Sequence, residues 1–423
     1  ELDEISRSKV KNIIMNWAQE GKRVIAFGMK TLKFDNANQI DDQLDDVCYI
    51  GSLAFEDPVR DGVSQAISEC HAAGINVIMI TGDHALTASS VSRQIGLIEE
   101  LDSLCDGHKL ESMTDKELYS AVANDKVTVI SRATPEHKYR LVQTLQNNKH
   151  IVLVTGDGVN DAPALRTSDV GVAMGQKGVD LAKEAASMVI LDDDFRTIVT
   201  GIAESRKLCD NLVKSVMFYL SCKLALVLLF ILAPLAGQGF PLRPIQVILL
   251  EMFMDLGASG TFVLEPAEAD VMSRPPRKPK STFNKWFWLR IVGYGLSLFF
   301  GVLTVFLTGL SVSDADVARS MAFTAWLVGH FVIALHCRSL NAPLILHGLL
   351  SNGGTLVWGF VVVLTMFIVL YVPFIAQLMK LQSLNVKQLF FSIGIAVVFT
   401  LWVELLKGVL LLRKNRRKKK ANR

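Results

Sequence analysis

A chain of 423 residues has room for two or three domains, and its 50% hydrophobic and 20% charged residues average two unlike halves, charged over 1–210 and apolar over 211–412. Six cysteines at irregular spacings, with no C-x-x-C pair, leave no pattern for a zinc site or a disulfide framework. The net charge of +3 gives no ground for a nucleic-acid partner; its placement matters more, since eight of the last eleven residues, Arg413 to Arg423, are Lys or Arg.

Residues 1–19 read as an amphipathic helix, with Val10, Ile13, Ile14 and Trp17 at helical spacing, rather than as a cleavable signal peptide. A strand over 21–27 carries Arg23, and the polar, acid-rich residues 33–46 predict a loop. The strand from Tyr49 to Phe55 runs into Glu56-Asp57-Pro58-Val59-Arg60, and a helix over 61–73 closes at Gly74. The apolar run 76–80 predicts a buried strand ending in Thr81-Gly82-Asp83, where a hydroxyl and backbone N–H groups can hold phosphate oxygens. After a helix closing at Gly96 and a polar helix-forming insertion over 99–124, a strand at 127–130 delivers Ser131-Arg132-Ala133-Thr134-Pro135-Glu136-His137-Lys138.

Ile151 to Val154 then reads as a buried parallel strand whose carboxyl end faces a ligand crevice. It leads into Thr155-Gly156-Asp157-Gly158-Val159-Asn160-Asp161-Ala162-Pro163-Ala164-Leu165. Asp157 and Asp161 stand four apart on a loop that Gly156 and Gly158 allow to bend. Two carboxylates there suit Mg²⁺, which is held by carboxylate and phosphate oxygens. A plain strand-to-helix turn accounts for a bare G-D-G but poorly for the whole string. Strands at 169–175 and 188–191, with Asp192-Asp193-Asp194 capping a helix from Phe195, complete an alternation that predicts one parallel sheet covered on both faces.

Six later stretches, near 212–236, 243–263, 286–310, 319–337, 355–378 and 388–411, are long and apolar enough to cross a membrane. The first continues the helix from Phe195 without a break. Arg274, Arg277, Lys278, Lys280 and Lys285 in one loop, with the basic tail, put both ends of this region in the cytosol. Charges inside spans are expensive and tend to be functional, which singles out Lys223, Glu251, Asp255 and His330. Glu251 and Asp255 share a helix face, flanked by Pro241, Pro244, Gly257 and Gly260, which favour a broken helix offering carbonyl ligands. Glu404 reads as structural.

The string TGDGVNDAPAL resembles the hinge signature of the P-type cation-transporting ATPases, and Asp57-Pro58-Val59-Arg60 is similar to their D-P-P-R motif, with Val59 for the second proline. Thr81-Gly82-Asp83 and the Lys138 segment keep that family's order. The resemblance implies an α/β Rossmann-like (haloacid-dehalogenase-type) cytosolic domain followed by an all-α bundle of six transmembrane helices. Its parts would be a nucleotide-binding remnant over 1–47, the phosphorylation domain over 48–196, stalk and spans over 197–412 and a basic tail over 413–423. It implies ATP and Mg²⁺, with Thr81, Gly82, Asp83 and Lys138 at the phosphoryl group, Asp157 on Mg²⁺ and Asp161 behind it. Arg23, Asp57, Arg60, Arg132 and Asn160 would meet nucleotide or phosphate.

Leu249 to Asp255 resembles the ion-site helix of the calcium-type pumps, where Asn is common at the place of Glu251. The implied cation would meet Glu251, Asp255, Lys223 and His330. One ammonium against two carboxylates puts H⁺ or another monovalent ion ahead of one Ca²⁺, while Na⁺, K⁺ and Ca²⁺ pumps share these motifs. The family's phosphate acceptor motif, D-K-T-G-T, does not occur in the 423 residues. The chain therefore reads as the C-terminal half of a plasma-membrane pump, inactive alone. The partner half would bring four helices, an actuator domain and the phosphorylated Asp. Two other readings stay open: a silent truncated pump serving as a membrane partner subunit, and a membrane-tethered phosphatase, which needs a nucleophilic Asp that the strand ends before residue 57 lack.

Overall fold

Short aliphatic runs between glycines and polar turns build the first of two compact units, Glu1–Ile202 with Met272–Pro276; the second is Ala203–Val271 with Arg277–Arg423. The computed structural model describes residues 4–30, 47–56, 58–98, 103–277, 283–340, 343–348 and 350–421. In the first unit, α1 (Glu4–Gln19) precedes an antiparallel ribbon of β1 (Arg23–Met29) and β2 (Cys48–Phe55). There follow α2 (Val63–Ala72), β3 (Met79–Ile80), α3 (Ala85–Gln94), β4 (Leu104–Asp106), α4 (Gly107–Ser112), α5 (Asp115–Ala123) and β5 (Val129–Ser131), whose strands form a parallel sheet in the order β3-β5-β4. α6 (Pro135–Asn147) leads to a second parallel sheet, in which α7 (Ala162–Thr167) and α8 (Asp180–Ala185) connect β6 (Leu153–Gly156), β7 (Val170–Met174) and β8 (Met188–Ile190) in that order. Thr134 caps α6 and Pro135 takes its first turn, where a missing N–H does no harm.

Three sequence expectations need correcting here. The strands do not join one sheet: among the described residues they form a ribbon and two parallel triplets, because β2 pairs with β1 and β6 bonds only β7. Ile151 to Val154 is not a buried strand either. The ladder starts at Leu153, with Ile151 76% and Leu153 38% exposed, as befits a sheet edge. Similarly, the run 76–80 pairs only at Met79 and Ile80. An apolar run reports its composition but not how many neighbours it will find. The acid-rich segment 33–46 lies outside the described residues.

The second unit takes in most of α9 (Phe195–Leu235), one helix of 41 residues as expected. α10 (Pro244–Leu249), a π-helical turn at Leu250–Asp255 and α11 (Leu256–Val263) make up the second span, so the expected break takes the form of a widened turn. α12 (Lys285–Val312), α13 (Ala315–Cys337), α14 (Leu344–His347), α15 (Gly353–Tyr371), α16 (Pro373–Met379) and α17 (Val386–Ala421) complete it. Among the described residues six segments are long and apolar enough to cross a membrane, and the chain is an integral membrane protein. The stretch expected as one span over 355–378 divides at Val372, whose extended backbone precedes Pro373, a residue that cannot continue the helix.

Polar residues pin the helix ends. Arg338, 1% exposed, donates to both carboxylate oxygens of Glu265, which is 0% exposed and also takes the Asn352 amide at 2.6 Å. Glu404, expected to be structural, accepts the Leu344 N–H at 2.8 Å and Lys407 at 2.6 Å, and Lys407 reaches the His336 carbonyl near the end of α13.

Candidate active site and membrane ion site

In the first unit, the loop after β6 is folded around one carboxylate. Asp161 ends the 3₁₀ turn Val159–Asp161; its Oδ2 accepts the N–H groups of Asp157 at 3.2 Å and Gly158 at 3.1 Å, and its Oδ1 takes Lys138 Nζ at 2.6 Å. A Cβ on Gly156 would lie 2.4 Å from Asp161 Cβ, so only glycine permits this fold-back. Asp161 is buried, whereas Asp157 is exposed and offers its carboxylate to none of these donors. The donor set fits Mg²⁺ with a division of roles: Asp157 is available as a hard oxygen ligand, while Asp161 shapes the loop behind it.

Two neighbouring strand ends are laced together. The Thr81 hydroxyl donates to Asp83 Oδ2 at 3.0 Å, while the Arg132 and Ala133 amides donate to the carbonyls of Asp83 and Thr81 at 2.9 Å each. Gly82 lies between them with ordinary space around it. Lys138 leaves the first turn of α6, on the segment that starts with this lacing.

Other predicted residues are engaged elsewhere. The Arg132 guanidinium, on a backbone with φ 49°, stands 3.5 Å from Asp106 Oδ2, and the Arg60 guanidinium donates to the Asp193 carbonyl. Asn160 is exposed on the 3₁₀ turn. Asp57 and the Arg23 side chain lie outside the described residues. The sequence reading passed over His137, which is buried and bonded to Thr134, although T-x-x-H at a helix start is a variant of a capping box.

In the second unit, Lys223 of α9 meets both carboxylates of the π turn: Asp255 Oδ2 lies 2.5 Å from its Nζ, and Glu251 Oε2 is also in contact. Its ammonium stands 4.7 Å from the centre of the Tyr219 ring. His330 Nε2 approaches Asp255 Oδ1 to 3.3 Å, close enough for an ion pair but not aligned as a hydrogen bond. Phe218, Trp326 and Trp358 surround the imidazole, and the indole nitrogens of both tryptophans are buried without hydrogen-bond partners. All four predicted ion-site residues thus come together. The aromatic wall went unread, although Tyr219 and Trp326 each stand four residues before a flagged base. Under-satisfied buried polar atoms beside paired charges mark a place built for more than packing.

Comparison with known proteins adds an independent finding. The model for the C-terminus of cation-transporting ATPases matches residues 239–409, and two haloacid dehalogenase-like hydrolase models match 9–169 and 137–202. The chain is 33% identical over 387 residues to Calcium-transporting ATPase 1 of Yarrowia lipolytica, covering 90% of this chain and 41% of that protein. It is 30% identical over 423 residues to Calcium-transporting ATPase 1 of Bacillus cereus, covering 96% and 47%. Against human Calcium-transporting ATPase type 2C member 1 the identity is 32% over 397 residues, covering 93% and 42%. The chain spans less than half the length of these relatives.

Proposed function

This chain belongs to the P-type cation-transporting ATPases, and we propose that it is the half of such a pump that holds the metal and the lysine beside the transferring phosphoryl group and carries the ion. The observation behind this is the division between the two loop carboxylates: Asp161 is occupied by Lys138 and two amides, which leaves Asp157 for metal. Held by Asp157, Mg²⁺ would supply positive charge against the phosphoryl oxygens. Lys138 brings its ammonium to the same loop and neutralises the transferring group, while the Thr81 hydroxyl and Gly82 N–H hold its oxygens. Covalent turnover needs a nucleophilic carboxylate, and the D-K-T-G-T motif is absent from the 423 residues, so a further segment must supply it from the remainder of the pump. In the complete pump, Asp157→Asn should abolish phosphorylation from ATP while expression holds; normal phosphoenzyme in that variant would overturn the reading.

For the ion, the geometry favours a proton or another monovalent cation. Lys223 engages an oxygen of each carboxylate and leaves one net negative charge, whereas Ca²⁺ seeks about six to eight oxygens. A single Ca²⁺ per cycle is the second reading, favoured by relatives named as calcium-transporting and by the Glu251–Asp255 pair. ATPase activity of the complete pump in chelator, against activity with micromolar Ca²⁺, separates the two. Strict Ca²⁺ dependence at both acidic and alkaline pH would sink the monovalent reading. We assign both ends of the membrane region to the cytosolic side of a plasma membrane, since the basic residues near 274–285 and from Arg413 onward lie on that side by the positive-inside rule.

A further inference from the structure

We propose that His137 is the positioning residue of Lys138, acting through the cap of α6; the inference rests on the role given above to Lys138. The imidazole stands where a capping box usually has Glu or Gln. Its Nδ1 accepts the Thr134 backbone N–H at 3.2 Å, and the His137 backbone N–H donates to Thr134 Oγ1 at 3.4 Å. Because Nδ1 accepts, the ring proton is assigned to Nε2, 3.3 Å from Glu111 Oε1 on α4. Gly107 makes room for this arrangement: a Cβ there would come within 3.1 Å of Nδ1 and 2.4 Å of the Arg132 carbonyl. The next residue is Lys138, whose amide donates to the Thr134 carbonyl at 3.3 Å and whose ammonium ends 2.6 Å from Asp161 Oδ1. The first turn of α6 is thus the base from which Lys138 reaches across to the loop after β6.

Of the two contacts made by the ring, the cap carries the effect. Glu111 is exposed, and solvent around its carboxylate screens the contact with the buried ring. α4 is in any case tied to α6 by Arg140, which donates to the carbonyls of Leu110 and Met113. Among the described residues no second acceptor takes the Thr134 N–H.

Amide hydrogen exchange on this chain in nanodiscs tests the proposal without any need for ATP turnover. The Asp157 and Gly158 amides donate to Asp161 Oδ2, so their protection reports whether Lys138 still holds that carboxylate. His137→Ala is expected to speed exchange at both amides by about tenfold, and His137→Gln, which restores the box, to return them to within about twofold of the parent. In a Lys138→Ala background, His137→Ala should add nothing at these two amides. An equal increase in that background, no increase in His137→Ala, or a rise spread over β7 each overturns the proposal. A wrong role for Lys138 in turnover shows separately, as normal phosphorylation of the complete pump carrying Lys138→Ala.

Discussion

Asp255 presents one carboxylate oxygen to Lys223 Nζ at 2.5 Å and the other to His330 Nε2 at 3.3 Å, so a single acid joins basic side chains from two membrane helices. Glu251, more open than Asp255, completes the set from one turn earlier. Within this candidate ion site the charges offset one another, and removing Lys223 leaves two carboxylates without their shared counter-charge.

Lys223→Ala should therefore be more damaging than its exposure suggests. It strands a buried Asp255 beside a second carboxylate, a change that destabilises by roughly 3–5 kcal/mol when a buried pair is broken. The double variant Lys223→Ala/Asp255→Asn should recover part of that loss. Unfolding of the purified chain in mixed micelles gives both values, and a single variant as stable as the parent would remove the balance from consideration.

The two loop carboxylates should separate cleanly. Asp157→Ala removes an exposed group outside the loop's bonding and should change stability by no more than about 0.5 kcal/mol. Asp161→Ala leaves Lys138 and two amides without their acceptor and should destabilise by about 1–3 kcal/mol. Thermal unfolding followed on the chain itself decides this, with Mg²⁺ affinity as the second readout. Asp157→Ala should lose Mg²⁺ affinity with the fold intact.

Arg338→Met should leave Glu265 charged and buried, at roughly 3–5 kcal/mol. Arg338→Met/Glu265→Leu removes both charges and should be closer to the parent. If the double variant is the worse of the two, the hydrogen bonds from Asn352 matter more than the ion pair.

Asp193 supplies a pH-dependent prediction. The Gln176 and Lys177 amides donate to its carboxylate at 3.0 and 2.8 Å and hold its pKa below the usual Asp value. A pKa lowered on folding contributes stability above the unfolded value, and that contribution is lost as pH falls through the lowered one. Protection of the two amides should persist at neutral pH and fade only under acid conditions below the ordinary Asp range. In Asp193→Asn it should be weak at neutral pH already. Equal protection in parent and variant at neutral pH would refute the assignment.

The candidate sites were more legible than the sheet. Glycine beside a carboxylate marks a chain reversal in any sequence, and Gly156 and Asp161 meet as closely as that pattern requires. Lys223, Glu251, Asp255 and His330 stood out because charge is costly in lipid, a signal that does not depend on knowing the neighbours. The β6 edge did depend on neighbours, since four aliphatic residues look alike whether one strand or two flank them. Arg338 and Glu265 lie at opposite ends of a long stretch of sequence and outside the apolar windows, so their pairing had no local trace. Arg60 and Arg132 were assigned by motif alone, and the Asp193 carbonyl and the Asp106 carboxylate that their guanidinium groups meet lie too far along the chain to be read from that motif.

The π turn at Leu250–Asp255 makes the candidate ion site sensitive to chain length as well as to side-chain identity. A π turn closes its hydrogen bond one residue later than an α turn, so it holds one residue more than the regular helix on either side of it. Deleting a single codon there would let the segment relax to an unbroken α-helix, with α10 and α11 near their present register and the span shorter by only about 1.5 Å. The membrane fold should survive such a deletion, whereas the direction in which Glu251 and Asp255 are presented to Lys223 would shift.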